Sequence, residues 1–530
     1  MTVDEKGRIT KAAGLIGLAT LLSRILGLIR DMVQARYFGA GLAADAFFVA
    51  YRIPNMLREM FAEGTMAAAF IPVFTEYLTH RSKEDARRLA NVTFTALTLL
   101  LSVISVIGIV AAPFIVKIIA PGFIDTPGKF DLTVSLTRIM FPFLLFIGLA
   151  AVAMGVLNSL RSFGAPALAP SFYNLSVILT ILFLSQHLTE PIMGLAIGVL
   201  LGGLTQFLIQ LPSLKKQGFF FQLNLERHEG VRRIGLLAVP IIIGLSVADI
   251  NLLISTLIAS FLPQGSVTYL FYGMRLIQFP LGIFAVAVAT AILPTMSSQA
   301  ARGATVELRE TLSFGLRLVF FITFPAMIGL IMFRIPIVHF LFQHGAFTLE
   351  NTLGTSAAVL CYSLGLWAFA GVRIVAPAFY ALQDTKTPVK TAVLAMLVNI
   401  LLSVSLMGPL KHAGLALATS LSSILNLSIL LWLLRRRLGR IGFRAVLRSH
   451  FRVVLASLII VVWGFFVTKQ TIWMAKAHWF EKGALLGGGI ILSIGGYFII
   501  HLLIKTEELT FLMGLIKDKW QRMRLNSSNT

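Results

Sequence analysis

The sequence predicts an all-α polytopic membrane protein of about 14 transmembrane helices, and three observations carry that class. Of 530 residues, 57% are hydrophobic and only 13% charged, too apolar for a water-exposed surface at this size. The apolar residues gather in runs of about the 20 residues that cross a bilayer core. An internal repeat then divides these runs into two bundles pointing the same way.

Taken in order, the spans fall near 12–37, 44–77, 86–112, 133–160, 166–187, 190–212, 231–262, 266–298, 310–334, 351–380, 388–408, 412–434, 446–468 and 483–505. Val92–Val116, Leu175–Leu184 with its flanks, and Gly483–Ile504 show the pattern. The polar start, Met1 to Lys11, leads directly into the first span with no cleavage-site pattern, so it reads as mature sequence. The 43 glycines suit helices that pack closely in lipid. After the last span, Glu507 to Arg524 alternates Leu, Phe and Ile with charged residues and is expected to lie at the surface.

A formal net charge of +22 would suggest nucleic acid in a soluble protein. Here the cations sit in short connections: Arg81–Arg88, Arg161, Lys215–Arg233, Arg302–Arg309, Lys386–Lys390 and Arg435–Arg452. The intervening connections, around Gly39–Leu42, Gln186–Thr189 and Leu262–Ser266, hold few or none. The positive-inside rule therefore puts both termini in the cytoplasm and makes membrane lipid, not nucleic acid, the partner of the basic residues. Cys361 is the single cysteine, which excludes disulfides within the chain.

The repeat is read from Ala67–Glu76 (AAAFIPVFTE) and Ala289–Ser298 (ATAILPTMSS), with Pro72 and Pro294 in matching places. Upstream, Phe47-Phe48 with Arg52 is echoed by Phe271-Tyr272 with Arg275, one residue out of register.

Ionisable residues inside spans cost about 2.5–3.5 kcal/mol each on insertion scales and mark function or ion pairing. The first span carries Arg24, Arg30 and Asp31; the second carries Asp45, Arg52, Arg58, Glu59 and Glu63; later spans add Arg138, Asp249, Arg275 and Arg373. At 100° per residue Asp45, Arg52, Glu59 and Glu63 form one stripe with Asn55 at its edge, and Pro54 predicts a kink within it. For Arg30, Asp31 and Glu59 the reading as buried ion pairs stands level with the functional one. Arg24, Arg52 and Arg275 favour an anionic, phosphate-bearing substrate, because guanidinium stays charged and binds phosphate oxygens in pairs. Asp249 is either a coupling-cation ligand or a partner of a neighbouring arginine. No P-loop, HExxH or clustered metal-ligand pattern occurs, so no catalytic residue, cofactor or metal is expected, and the chain is not read as an enzyme.

At these residues the sequence resembles the MurJ (MviN) family, lipid II flippases of the MOP exporter superfamily. The matching blocks are Ser23-Arg24-Ile25-Leu26-Gly27-Leu28-Ile29-Arg30-Asp31, Phe38-Gly39-Ala40-Gly41, Asp45-Ala46-Phe47-Phe48-Val49-Ala50, Ile53-Pro54-Asn55, Phe61-Ala62-Glu63-Gly64 and Ala69-Phe70-Ile71-Pro72. Tyr272 to Pro280, Leu293-Pro294 and Ala376-Pro377 through Lys386-Thr387-Pro388 continue it, so the resemblance spans nearly the whole chain. It implies two six-helix bundles, 1–228 and 229–440, around a central cationic cavity, two additional helices in 441–506 and a cytoplasmic tail, 507–530. It assigns cavity roles to Arg24, Arg30, Arg58 and Arg275 and to the acids Asp31 and Asp45, while the family tolerates Lys at Arg52. The implied substrate is lipid II, an undecaprenyl-diphosphate carrying a disaccharide-pentapeptide, moved across the bacterial inner membrane by alternating access. Membrane potential or a monovalent cation resets the cycle, and cell-wall synthesis proteins are the implied partners. A multidrug exporter of the same superfamily suits an acidic cavity instead. A flippase for another polyprenyl-linked glycan shares the chemistry, and the quoted motifs favour lipid II over it.

Overall fold

The computed structural model describes residues 3–439, 442–473, 479–514 and 517, with all their side chains except those of 3–13, 61–65, 67, 243–248, 443 and 471. The first half runs α1 (Val3–Phe38), α2 (Leu42–Arg58), a π-helical stretch (Glu59–Phe70), α3 (Ile71–His80), α4 (Lys83–Ile119), α5 (Lys129–Met140), α6 (Phe143–Ser159), α7 (Gly164–Leu179), α8 (Ile192–Leu208) and α9 (Leu211–Lys216). The second runs α10 (Glu229–Ser260), α11 (Ser266–Pro280), a π-helical stretch (Leu281–Ala285), α12 (Val286–Ala301), α13 (Thr305–Phe342), α14 (Leu349–Ser363), α15 (Leu366–Ala381) and α16 (Lys386–Leu438). Two further helices follow, α17 (Phe443–Thr468) and α18 (Trp479–Ile504), and residues 507–514 add a short terminal helix.

The two halves keep one register from end to end, offset by 222 residues. Helix ends Phe38 and Ser260, π-stretch starts Glu59 and Leu281, helix starts Lys83 and Thr305, Gly164 and Lys386, and ends Lys216 and Leu438 all obey it. Even the backbone exceptions agree: Arg161 (φ 57°) and Gln383 (φ 58°), both left-handed non-glycine residues, turn α6 into α7 and α15 into α16. The sequence repeat around Pro72 and Pro294 is thus one visible fragment of a parallel duplication covering six helical segments in each half.

Prolines inside spans leave a carbonyl one turn earlier without its helical donor, which lipid cannot supply. In α13, Pro325 and Pro336 strip the carbonyls of Phe321 and Met332. Tyr497 of α18 donates its hydroxyl to Phe321 O at 2.7 Å, and Thr468 of α17 donates to Met332 O at 3.0 Å. In α4, Pro113 strips Ile109, whose carbonyl accepts from Arg138 Nε at 3.3 Å. Arg138, anomalous in a span, acquires a structural reason.

Among the described residues, 9 helices are long and apolar enough to cross a membrane, or 10 with the bent pair Leu349–Ser363 and Leu366–Ala381. One of the nine, α16, is two helices joined at Lys411, where the backbone leaves helical geometry. The three remaining expected spans coincide with α1, with α2 and its continuation, and with α10, each of which contains undescribed side chains.

Packing divides the chain into two units: Met1–Thr268 with His344–Thr348, and Tyr269–Gln343 with Leu349–Thr530. The second copy of the repeat opens with α10, but packing changes hands only after α10. This helix lies against the first π-stretch and α4, whereas its counterpart α1 lies along α7. In the second unit α13 is the hub, flanked by α14 and α15 and backed by α17. The terminal helix of 507–514 packs one face on the second unit and leaves Phe511 and Met513 exposed on the other. Leu509 and Glu508 are buried; Leu509 joins the core of α13, α17 and α18, and Arg317 of α13 holds Glu507 at 2.6 Å. Residues 515–516 and 518–530 of the expected amphipathic segment lie outside the described residues.

Candidate functional site

Within the first unit, α1, α2, α7 and α10 bring together most of the charges singled out by sequence. On α1, Arg30 folds onto its neighbour, with Nη2 and Nε reaching Asp31 Oδ1 at 2.6 and 3.1 Å. Asp31 is fully buried. The Arg30 guanidinium lies 5.8 Å from the ring of Tyr173 on α7, and the Tyr173 hydroxyl is 3.3 Å from that of Tyr51 on α2. Gly27 is buried, and Asn174 of α7 donates to Ser23 O at 3.1 Å, which fastens α1 to α7 beside the site. Arg24 is exposed and, among the described residues, makes no ion pair or side-chain hydrogen bond.

On α2, Asn55, Arg58 and Glu59 form a local triad. Arg58 Nε donates to Asn55 Oδ1 at 3.1 Å, Asn55 Nδ2 donates to Glu59 Oε1 at 2.8 Å, and Arg58 lies 3.5 Å from the same carboxylate oxygen. Arg58 is also within electrostatic reach of Tyr173. Arg52 points to α10, where its Nε donates to Thr256 Oγ1 at 3.2 Å. Asp249 on α10 feels both Glu59 and Arg52. Two arginines thus lean on carboxylates of their own helices, so an incoming anion would share or replace Asp31 and Glu59 rather than meet bare cations.

The predicted stripe on α2 holds only in part. The helix continues through Pro54 to Arg58, and α geometry gives way to a π-helical stretch at Glu59. Glu63 falls within the π-helical stretch, and its side chain lies outside the described residues. Asp45, at the other end of α2, is consumed structurally. Lys129 of α5 meets Oδ2 at 3.0 Å, Gly265 N donates to Oδ2 and Thr268 N and Oγ1 donate to Oδ1. With 1% of its surface exposed, this carboxylate is a fully hydrogen-bonded buried ion pair tying α2 to α5 and to the α10–α11 turn. Arg275 lies on α11, exposed, in the second unit.

Sequence reasoning missed Tyr51, Tyr173 and Lys129. The tyrosines carry no charge to mark them in an apolar span, and Lys129 reads as a loop cation. A hint existed: a buried carboxylate needs a cation, and Lys129 opens the helix that packs on α2.

The family model described as lipid II flippase MurJ matches residues 34–481. A probable lipid II flippase MurJ of Vibrio cholerae is 40% identical over 436 residues, covering 81% of this chain and 83% of that protein. The lipid II flippase MurJ of Burkholderia cenocepacia is 39% identical over 425 residues, 79% and 82% of the two chains. A solved lipid II flippase MurJ in an inward closed conformation superposes with a TM-score of 0.75 at 28% identity, covering 93% of this chain and 100% of the other. A multidrug resistance MATE transporter of the MOP superfamily, inward-facing, gives a TM-score of 0.67 at 13% identity over 79% and 95% of the chains, a likeness of fold alone. This chain belongs to the MurJ family of lipid II flippases.

Proposed function

We propose that this protein flips lipid II from the cytoplasmic to the outer leaflet of the bacterial inner membrane, with both termini in the cytoplasm. The observation that carries the reading, beside family membership, is the arginine set on α1 and α2 with its acidic partners. Arg24 stands without a partner among the described residues, while Arg30 and Arg58 are held ready by Asp31 and by Asn55 with Glu59. A diphosphate would engage Arg24 first and then compete for Arg30, Arg52 and Arg58, its oxygens replacing carboxylate oxygens with little change in side-chain geometry. The phenols of Tyr51 and Tyr173 supply neutral donors beside these cations. Arg275, on α11 of the second unit, is the further arginine that the family resemblance assigns to the substrate. Asp45 is a structural tie and drops out of the proposed gate.

The cycle is alternating access: loading reorganises the arginine–carboxylate pairs, and release restores them. Asp249, which interacts electrostatically with Glu59 and Arg52, is the residue that a cation or proton would meet as the phosphate leaves. One charge crossing 100 mV is worth about 2.3 kcal/mol, enough to bias the return.

The test is complementation in cells depleted of their own lipid II flippase, with lipid II measured in the outer leaflet at matched membrane levels. Wild type restores growth and translocation. Arg24→Ala, Arg58→Ala and Arg275→Ala each lose at least tenfold, the scale of one charge-assisted hydrogen bond of about 1.5–3 kcal/mol. A well-inserted wild type that leaves lipid II inside overturns the assignment.

A further inference from the structure

Between α9 and α10 twelve residues are non-helical, a turn at 217–218 followed by the extended run 219–228, and the course of that run is unusual. It leaves Gly218, which takes φ +78° and lies beside Lys83 at the start of α4. Gln222 N then donates to Asn91 Oδ1 at 3.3 Å and Asn224 N to Thr95 Oγ1 at 2.8 Å. Glu226 returns to Arg88 at 3.2 Å, and the Tyr77 and His228 rings lie 5.4 Å apart. The segment therefore climbs α4 and descends again. Its apex lies level with Thr95, about 18 Å from the start of α4 at 1.5 Å per residue.

That level is where α4 changes character. From Lys83 to Arg88 the helix is charged; from Ala96 to Val116 it holds no charged residue. Irregular backbone is tolerated at a membrane boundary only where its polar groups are satisfied. Asn91 and Thr95 do this, which explains two buried polar residues facing an otherwise apolar span. Phe221 anchors the inner side by stacking on Phe94 at 4.3 Å. The outer side is apolar and open: Leu223 is 75% and Leu225 80% exposed, and Phe220 is exposed as well. Around the base stand Lys215, Lys216, Arg227 and Arg232, which make no ion pair among the described residues.

We propose that residues 219–228 form a membrane-dipping anchor for an anionic phospholipid leaflet. Phe220, Leu223 and Leu225 enter the boundary between headgroups and acyl chains, and Lys215, Lys216 and Arg227 hold the headgroups. Leucines that open to water would cost apolar burial with no return, whereas at this level lipid covers them. Clustered cations next to an inserted apolar edge attract anionic headgroups.

The experiment uses the full chain with Cys361→Ser in nanodiscs, spin-labelled singly at Leu223→Cys or Leu225→Cys. Labels at Glu84→Cys and Val106→Cys, at the charged start and in the apolar middle of α4, give the water and lipid limits. Collision with oxygen exceeding that with a water-soluble nickel chelate, at a depth between the two limits, is the expected result. Nickel accessibility matching Glu84→Cys overturns the anchor. The headgroup half is read separately, by native mass spectrometry of lipid retained from equal phosphatidylglycerol and phosphatidylcholine. Wild type retains the anionic lipid, and Lys215→Gln, Lys216→Gln and Arg227→Gln lower that preference about fivefold per cation removed. Equal retention of both lipids by the wild type overturns it.

Discussion

α4 and α13 are the same helix by duplication, yet they live in different solvents. On α4, Leu99, Leu100, Val103, Val106, Ile107, Val110 and Phe114 form an exposed apolar stripe, with Val110 73% exposed. The 222-residue offset maps that stripe onto Phe321, Ile322, Pro325, Ile328, Gly329, Met332 and Pro336 of α13. There α17 and α18 cover it, with Val453, Ala456, Ile460, Val467, Leu486 and Tyr497 in one core with Phe321 and Phe333. The covered copy has been recut for protein: Gly464 of α17 brings its backbone against Met332, and α13 carries two prolines whose orphaned carbonyls its neighbours satisfy. Lipid conforms to any apolar shape, so α4 needs only hydrophobicity; a protein neighbour demands matched shape and matched hydrogen bonds.

The largest test of this contrast removes the cover. A chain stopped after Leu438 leaves the carbonyls of Phe321 and Met332 without donors in lipid, at several kcal/mol each. The second unit is expected to fail to accumulate, read as membrane level and thermal unfolding in detergent, while protease protection of the first unit persists. Survival of the truncated second unit at wild-type stability would show that α17 and α18 merely decorate α13.

A smaller test compares equivalent residues. Phe321→Ala, in a fully buried site, should cost about 3–5 kcal/mol. Leu99→Ala, at the matching lipid-facing position, should cost well under 1 kcal/mol, because acyl chains fill the space and the side chain was not packed. Equal losses by unfolding in mixed micelles would erase the distinction.

The smallest effect lies in the turns. In the second unit Asp384 accepts from Thr387 N at 3.0 Å, from the Thr387 hydroxyl at 2.8 Å and from Arg437 at 2.8 Å; the matching position in the first unit is Ser162. The Thr387 donors, first its backbone N–H, hold the Asp384 carboxyl below its usual range. A depressed carboxylate stabilises above its ordinary value, near 4, and that contribution disappears as pH falls through the lower folded value. The protection factor of the Thr387 amide, its exchange rate corrected for the intrinsic pH dependence, should therefore fall from pH 6 to 3, with Asp384→Asn abolishing the change and the Ser162 turn showing none.

Much of the fold was legible because lipid imposes so few options. Apolar runs of span length, alternating basic connections and the Pro72–Pro294 echo are local properties of the chain, and they point to a helical, duplicated membrane protein without reference to packing. The family blocks around Arg24, Asp45 and Pro54 are equally local. Periodicity also identified the face of α2 that carries Arg52, Asn55 and Glu59. No residue pattern announced where the π-helical stretch after Arg58 begins.

What tertiary structure alone decided is which partner each charge takes. Asp45 and Arg58 looked alike as charges in one span. Asp45 is closed off by Lys129, Gly265 and Thr268 from distant parts of the chain, while Arg58 stays part-exposed with Asn55 and Glu59. The repeat sets α1 and α10 as equals, yet α1 lies on α7 and α10 on the π-stretch of α2. The sequence determines that a charge in an apolar helix must be satisfied, since the cost of leaving it bare is local. Which group satisfies it depends on side chains brought within a few ångströms by packing, and that distance is written in no single segment.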